Sequence, residues 1–226
     1  MPPSNSPSSK PASRARILLV DDHPLVRERL SEIINDEPDL TVCGEAEDRP
    51  QAIKIIQATR PDIAIIDLTL KNSDGLELIK DIRSRWPGLR MLVVSMHDES
   101  LYAERVIRAG AMGYITKQDA TRNILAAIRR ILAGNIYVNE RIATRIIQRL
   151  TVPVATQSLT PGDLLAPREL QVFELTGKGL DTRQVAGRLR LGVKTVETYR
   201  RRIREKLQLT DPNQLLQEAI AWVHKP

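Results

Sequence analysis

The chain has 226 residues, of which 42% are hydrophobic and only 3% aromatic, so we expect a folded protein with an aliphatic core. The longest apolar run near the N-terminus, residues 17–20, is too short for a secretory signal or a membrane span, which predicts a cytoplasmic protein with no membrane segment. The single cysteine, Cys43, excludes an internal disulfide and a cysteine zinc cluster.

The net charge of +6 is unevenly spread along the chain. Residues 17–131 carry 16 basic and 19 acidic side chains, whereas residues 161–226 carry 12 basic and 8 acidic ones. Within 181–206 there are nine basic side chains and only three acidic ones. This distribution predicts a nucleic-acid surface near the C-terminal end.

Strand-like and helix-like patterns alternate from residue 16 onward. Residues 1–15, which precede them, are rich in Pro and Ser and are predicted to be a disordered tail. The strand patterns are RILLV, LTVCGEA, DIAIID, RMLVVS and GYIT, and the helical patterns cover about 24–36, 48–58, 74–85, 98–109 and 119–133. Five such units predict an α/β domain over residues 16–133, with a flavodoxin-like five-stranded parallel sheet covered by helices on both faces.

The remainder of the chain shows no strand patterns. Residues 134–163 are predicted to be a linker with one helix at 141–150, since Thr, Pro and Ser crowd its second half. Residues 164–226 hold helical patterns at about 167–177, 182–190, 193–207 and 212–224, separated by short turns. They predict a compact all-α domain of four helices.

Polar side chains end four of the five predicted strands. Asp21 and Asp22 follow the first strand, Asp67 the third, Ser95 ends the fourth and Lys117 follows the fifth. A parallel winding brings these positions to one edge of the sheet, where three carboxylates would repel one another. A Mg²⁺ ion relieves such repulsion, and Asp67 can then act as a nucleophile toward a phosphoryl donor, with Lys117 and Ser95 contacting the phosphoryl oxygens.

Each of these residues has an ordinary structural explanation when it is taken singly. An aspartate at a strand end usually forms a turn or caps a helix, and a lone Ser or Lys in a loop is usually solvated. The functional interpretation depends on the conjunction of all five residues at one edge.

The runs ILLVDDHPLVRERL, IAIIDLTLKNSDGLELI, MLVVSMHDE and AGAMGYITKQDA resemble a response-regulator receiver domain over residues 15–131. The resemblance implies that Asp67 is the phosphoacceptor, that Asp21 and Asp22 bind Mg²⁺, and that Ser95 and Lys117 contact the phosphoryl group. It also implies two further assignments, a metal ligand from the backbone carbonyl of Thr69 and an aromatic switch residue at Tyr114. An ordinary aromatic at the sheet edge is the alternative for Tyr114.

Two departures from the receiver pattern leave other functions open. Leu70-Lys71-Asn72 stands where the family often has Met-Pro-Gly, and Gln118 replaces a frequent proline, so the loops there are expected to differ. These changes are the only support for a DNA-binding regulator with a vestigial receiver that works independently of phosphorylation. A phosphohydrolase of the haloacid dehalogenase type is disfavoured, because Thr69 occupies the position where that class needs a second aspartate.

The segment KTVETYRRRIREKL carries six basic residues over 14 positions and follows a short helix with a capping-box pair, Asp181 and Gln184. Its apolar residues fall on one side of the helix, and a polar, basic stripe falls on another. Two short helices joined by a tight turn, the second of them basic, indicate a helix-turn-helix that reads DNA. A solvated, salt-bridged surface helix is the simpler interpretation, but the acidic side chains are too few to form ion pairs with all of the basic ones.

Residues 164–209 closely resemble the LuxR-type helix-turn-helix, and with the receiver they resemble a response regulator of the NarL/FixJ type, which is not an enzyme. The resemblance implies base contacts from Glu197, Thr198 and Arg201. It implies phosphate contacts from four further residues, Lys194, Thr195, Arg200 and Arg204. A histidine kinase would phosphorylate Asp67, release the recognition helix from the receiver and favour a homodimer on double-stranded DNA.

Overall fold

The computed structural model describes residues 14–71, 73–96, 99–140, 142–144, 160–189 and 191–224. Nearly all of the predicted N-terminal tail lies outside the described residues, as does most of the helix predicted at 141–150. Among the described helices, none combines the length and the apolar character that crossing a bilayer requires.

A five-stranded parallel sheet forms the centre of the first domain and confirms the predicted fold class. Its strands are β1 (Ala15–Val20), β2 (Leu40–Ala46), β3 (Ile63–Ile66), β6 (Arg90–Ser95) and β7 (Gly113–Thr116), in the spatial order β2-β1-β3-β6-β7. A two-stranded antiparallel hairpin of β4 (Thr69–Leu70) and β5 (Ser73–Asp74) follows β3 and was not predicted. The strand order reverses at β1, so the carboxyl ends of β1 and β3 flank a crevice.

Five helices cover the two faces of this sheet: α1 (Pro24–Asn35), α2 (Arg49–Thr59), α3 (Gly75–Arg85), α4 (Glu99–Ala109) and α5 (Lys117–Leu132). Local sequence fixes where several of them begin. Pro24 occupies the first turn of α1, as predicted. The side chains of Asp48, Asp74 and Thr116 each accept a hydrogen bond from a backbone N–H in the first turn of α2, α3 and α5.

Alternate residues of the strands supply two separate apolar cores. Ile17 and Leu19 of β1 face one core with α1 and α5, while Leu18 and Val20 face the other with α2, α3 and α4. All four side chains are at most 1% exposed. Both faces of the sheet are therefore buried, which explains the continuous apolar runs of β1 and β3.

The second domain is helical, as predicted. It contains α6 (Pro161–Leu164), α7 (Pro167–Gly177), α8 (Thr182–Leu189), α9 (Val193–Leu207) and α10 (Pro212–Val223). The single turn α6 was not predicted, because four residues show no helical periodicity. The core of this domain includes Leu170, Phe173, Val185, Val196 and Ile203, which are all fully buried.

The chain leaving α5 returns to the edge of the sheet. Tyr137 forms a parallel bridge with Gly113, its N–H donating to Met112 O at 2.8 Å and its carbonyl accepting from Tyr114 N at 3.0 Å. The sequence predicted only a linker here. The start of the linker is instead fixed to the outer side of β7.

Candidate functional site

Three of the predicted pocket residues meet at the carboxyl edge of the sheet. Asp21 follows β1, Asp67 follows β3, and Lys117 opens α5 directly after β7. Lys117 Nζ lies 2.6 Å from Asp21 Oδ2 and donates to Asp67 Oδ2 at 2.8 Å, and all three side chains are at most 6% exposed. The strands thus deliver two carboxylates and one amine to a single buried cluster.

Two buried carboxylate oxygens in this cluster have no hydrogen-bond partner among the described residues, Asp22 Oδ1 and Asp67 Oδ1. Asp22 Oδ1 lies 2.7 Å from His23 Nδ1 but not in hydrogen-bond geometry. A buried oxygen without a hydrogen-bond partner lowers the stability of the folded protein unless a cation or a hydrogen-bond donor satisfies it. Three carboxylates facing one space are also the donor set that Mg²⁺ prefers, so these residues fit such an ion.

The pKa shifts in the cluster reflect burial together with the charges of the neighbouring groups. Burial raises the pKa of Asp21, the nearby Asp67 raises it further, and Lys117 acts in the opposite direction. Burial alone would lower the pKa of Lys117, but the Coulombic attraction of Asp67 and Asp21 outweighs it and raises that pKa. The amine therefore stays charged, and one positive charge is shared between two carboxylates.

The remaining residues predicted for this site are all buried. Ser95, at the end of β6, is fully buried, and Tyr114 in β7 is 1% exposed. Thr69 is 8% exposed and pairs with Asp74 across the β4–β5 hairpin. Tyr114 thus faces the interior rather than solvent, next to the bridge formed by Tyr137.

The loop after β4, which departs from the receiver pattern, is attached to the start of α2. Lys71 Nζ lies 2.9 Å from Glu47 Oε1, and Lys71 N donates to Glu47 O at 3.2 Å. Ser73 Oγ accepts from Arg49 N at 3.1 Å. Asn72 lies outside the described residues. Backbone and side-chain contacts thus hold the described part of this loop beside the pocket.

Sequence analysis missed Gly75, the first residue of α3. A Cβ built at Gly75 would lie 2.1 Å from Asp67 O and 2.7 Å from Leu68 Cα, so only glycine fits here. Gly75 N also donates to Leu68 O at 3.0 Å. The first turn of α3 therefore packs directly on the backbone that carries Asp67. The Asp-Gly pair before an apolar helical pattern was the available signal.

In the second domain, α8 and α9 form the predicted helix pair. Asp181 and Gln184 exchange hydrogen bonds, Gln184 N donating to Asp181 Oδ1 at 2.8 Å and Asp181 N donating to Gln184 Oε1 at 2.9 Å. Val196 and Ile203 face the core of the domain. On the other side of α9, Lys194, Glu197 and Arg201 are exposed.

Arg200 differs from its expected position. Its guanidinium points into the domain and donates to Thr182 Oγ1 at 2.9 Å, to Thr176 Oγ1 at 3.2 Å and to Leu180 O at 3.4 Å. Burial lowers the pKa of this side chain, partly offset by the charge of Asp181. These contacts indicate that Arg200 ties α9 to α7 and α8, and we do not expect it to contact a DNA phosphate.

Helix α4 of the first domain contacts the second domain directly. Tyr102 Oη donates to Pro167 O at 3.3 Å, and Arg105 Nη1 donates to Gly162 O at 3.2 Å and also to Leu165 O. Tyr102 and Leu165 are almost completely buried and belong to one apolar cluster that includes residues of both domains. We refer to these contacts of Tyr102 and Arg105 as the α4 contact.

A cavity of about 810 Å³ separates the acidic pocket from α9. Asp22, His23 and Lys71 line it on one side, and Thr195, Tyr199 and Arg202 of α9 line it on the other. One face of the basic helix is therefore turned toward the carboxylates of the first domain. Tyr199 is half-buried on this face.

Comparisons with known proteins agree with both domains. The response regulator receiver domain family matches residues 17–129, and the luxR family of bacterial regulatory proteins matches residues 163–219. Response regulator GacA of Pseudomonas aeruginosa is 32% identical over 200 residues, which cover 88% of this chain and 92% of that protein. Oxygen regulatory protein NreC of Staphylococcus carnosus is 30% identical over 209 residues, which cover 91% of this chain and 96% of that protein.

Two solved structures are similar in fold. A LuxR-family two-component response regulator from Aurantimonas sp. SI85-9A1 is 38% identical, with a TM-score of 0.56, and covers 62% of this chain and 100% of its own. RcsB from Salmonella enterica serovar Typhimurium was solved bound to promoter rprA in the presence of the phosphomimetic BeF3-. It is 22% identical, with a TM-score of 0.55, and the match covers 92% of this chain and 99% of that chain.

A sheet with an acidic pocket, joined to a helix-turn-helix domain, defines a two-component response regulator. This chain belongs to the LuxR family of such regulators and consists of a receiver domain and a LuxR-type DNA-binding domain.

Proposed function

We propose that a histidine kinase phosphorylates Asp67 in the cytoplasm and that this modification controls sequence-specific binding to double-stranded DNA. The observation that carries the proposal is the asymmetry of the Asp67 carboxylate. Its Oδ2 accepts a hydrogen bond from Lys117 at 2.8 Å, while its buried Oδ1 has no hydrogen-bond partner within the part of the chain that the structure describes. One oxygen is held and the other is available as a nucleophile.

The chemistry follows from this arrangement. Asp67 Oδ1 attacks the phosphorus of a phosphohistidine, an O–P bond forms, the N–P bond breaks, and the released imidazole takes up a proton. Lys117 and Ser95 would contact the transferred phosphoryl oxygens. Asp21, Asp22, Asp67 and the carbonyl of Thr69 would hold Mg²⁺, which when bound neutralises charge on the phosphoryl group. The chain is modified in this reaction and turns over no substrate, so we do not assign it as an enzyme.

DNA recognition is assigned to α9. Glu197, Thr198 and Arg201 would face base edges, since arginine reads guanine and glutamate accepts from cytosine. Lys194, Thr195 and Arg204 would contact phosphates and give the binding its salt dependence. The fold shared with promoter-bound RcsB supports this assignment. A homodimer of the phosphorylated form would match two half-sites.

The α4 contact supplies the coupling between the two events. Tyr102 and Arg105 hold the second domain, and Tyr114 lies close enough to Tyr102 to contribute to the rise in its pKa, which burial dominates. Inward movement of Ser95 toward a phosphoryl group would displace this region and release α9 from the cavity beside the pocket.

The proposal is tested with the full chain and a small phosphoryl donor. Incubation with ³²P-labelled phosphoramidate or acetyl phosphate and Mg²⁺ should label Asp67 stably, as mapped by mass spectrometry, and Asp67→Asn should take up no label. DNA fragments selected from the genome should bind more tightly after labelling of the wild-type chain only.

Two results would contradict this proposal in different ways. Equally tight DNA binding by the labelled wild-type chain, the unlabelled chain and Asp67→Asn would indicate a vestigial receiver. Continuous release of phosphate from the donor, rather than stable label, would instead favour phosphohydrolase activity.

A further inference from the structure

The imidazole of His23 lies at the mouth of the acidic pocket. Its Nδ1 is 2.7 Å from Asp22 Oδ1 and 3.1 Å from Asp21 Oδ1. One ligand atom from each of Asp21, Asp22, His23 and Asp67 lies within 4.8 Å of the other three. The side chain of His23 is 52% exposed, which leaves room on its outer side. The receiver chemistry described above uses the carboxylates and assigns no role to this nitrogen.

The backbone fixes the imidazole in this position. His23 is the N-cap residue of α1 and has extended backbone angles, φ −97° and ψ 107°, which the following Pro24 favours. His23 N donates to Asp21 Oδ1 at 2.8 Å. The carboxylate and the proline therefore hold the residue from both sides, and the ring faces the pocket because of the local sequence Asp-Asp-His-Pro.

The buried carboxylate oxygens of the pocket favour a cation close to this nitrogen. Asp67 is 3% exposed, and its Oδ1 has no hydrogen-bond partner among the residues that the structure describes. Asp22 Oδ1, which likewise has no hydrogen-bond partner among the described residues, lies 2.7 Å from the imidazole Nδ1. A divalent ion that satisfies these oxygens would lie within reach of His23 Nδ1.

We propose that His23 Nδ1 is a direct ligand of the divalent cation in this pocket and extends its selectivity from Mg²⁺ to nitrogen-preferring ions such as Co²⁺. The inference rests on the proposed function, since it takes the same carboxylates as the metal site. Imidazole suits the later transition metals, whereas Mg²⁺ prefers oxygen ligands and retains water. An imidazole in this position should therefore strengthen Co²⁺ binding and leave Mg²⁺ binding almost unchanged.

The test measures the binding of Co²⁺ and Mg²⁺ to the full chain without a polyhistidine tag, by visible absorption and by calorimetry. We compare the wild-type chain with His23→Asn and with a matched control, His224→Asn, which removes an exposed histidine after the last helix. Even outer-shell partners of a metal site are worth about 10–100-fold in affinity, so His23→Asn should weaken Co²⁺ binding by at least about tenfold. Mg²⁺ binding should change less than about twofold, given the preference of that ion for oxygen ligands.

Proton NMR of the Co²⁺-loaded chain gives a second reading, because a ligating imidazole shows a strongly shifted ring N–H signal that His23→Asn should abolish. If the wild-type chain and His23→Asn both bind Mg²⁺ and bind Co²⁺ with equal affinity, this inference is overturned and the proposed function remains intact. Failure of the wild-type chain to bind either ion would overturn both. A loss of Co²⁺ binding in His224→Asn as large as in His23→Asn would show general histidine binding and also overturn the inference.

Discussion

Single residues at the pocket set its shape through the backbone as much as through their side chains. Gly75 shows this most clearly, because the carbonyl of Asp67 occupies the space where any other residue would place its Cβ. Helix α3 can therefore begin directly against the chain that carries the phosphoacceptor candidate. The backbone of Asp67, rather than its carboxylate, therefore packs against α3 and fixes the position of this residue.

We expect Gly75→Ala to destabilise the receiver domain by about 1–3 kcal/mol, the usual cost of overpacking a well-packed site. The added methyl group would meet backbone atoms at 2.1 and 2.7 Å, which cannot rotate away as a side chain can. Urea unfolding followed by circular dichroism measures the change. Gly88→Ala is the matched control, since a Cβ there meets nothing within 4 Å. Equal stability of the two variants would show that α3 shifts freely.

The polar pocket was largely predictable from single residues, since parallel strands bring their carboxyl ends to one edge. The sequence placed Asp21, Asp67 and Lys117 correctly at strand ends. The contact of His23 with Asp22 was not predictable, because the pattern does not show which way a capping residue turns its ring. Arg200 was misplaced for a related reason. Helical spacing assigns it to a side of α9 but does not reveal the acceptors on α7 and α8.

At the scale of elements, α9 has two kinds of arginine at adjacent positions. Arg200 satisfies acceptors inside the domain, while Arg201 is 62% exposed and forms a loose ion pair of 3.5 Å with Glu205. An exposed pair of this kind adds little to stability. Substituting each of the two arginines in turn therefore tests whether folding and DNA recognition depend on different side chains of the same helix.

We expect Arg201→Ala to weaken specific DNA binding by roughly 1–3 kcal/mol and to leave the melting temperature unchanged, because the side chain serves the ligand rather than the fold. Fluorescence anisotropy with a selected promoter fragment measures the affinity. Arg200→Ala should behave in the opposite sense and cost about 1–3 kcal/mol of stability, since it leaves buried hydroxyl and carbonyl acceptors unpaired. Identical effects of both substitutions on folding would refute this division of roles.

The short elements show where sequence patterns stop being informative. The β4–β5 hairpin has two residues in each strand, and α6 has four residues, so neither offers a repeat long enough to be recognised. Both elements nevertheless lie at functional places, the hairpin beside Asp67 and α6 against Arg105 of α4. The longer helices, whose apolar faces repeat, were predicted within two residues of their bounds.

At the scale of the whole molecule, the α4 contact is the link through which we propose that the receiver restrains α9. Arg105 donates to two carbonyls that follow the linker, and Tyr102 donates to a third at the start of α7. These three bonds join the receiver to the DNA-binding domain at a helix next to the pocket. Weakening them should therefore imitate phosphorylation.

We expect Arg105→Ala to raise the DNA affinity of the unphosphorylated chain by roughly tenfold or more, because hydrogen bonds from a charged group are worth about 1.5–3 kcal/mol. Anisotropy titration in the absence of a phosphoryl donor measures the change. Arg108→Ala is the matched control on the same helix, since Arg108 pairs with Glu104 of α4 itself at 3.1 Å. If Arg105→Ala binds DNA no better than Arg108→Ala, the α4 contact does not restrain the helical domain.

The bridge between Tyr137 and Gly113 bears on how two copies of this protein can associate. An outermost strand displays open amides and carbonyls that recruit a neighbouring chain by strand addition. Tyr137 occupies part of that row on β7 with the protein's own backbone. Pairing of two receivers through a continuous sheet across β7 would therefore require this segment to separate from the strand first, so strand addition at this edge of the sheet carries an extra cost.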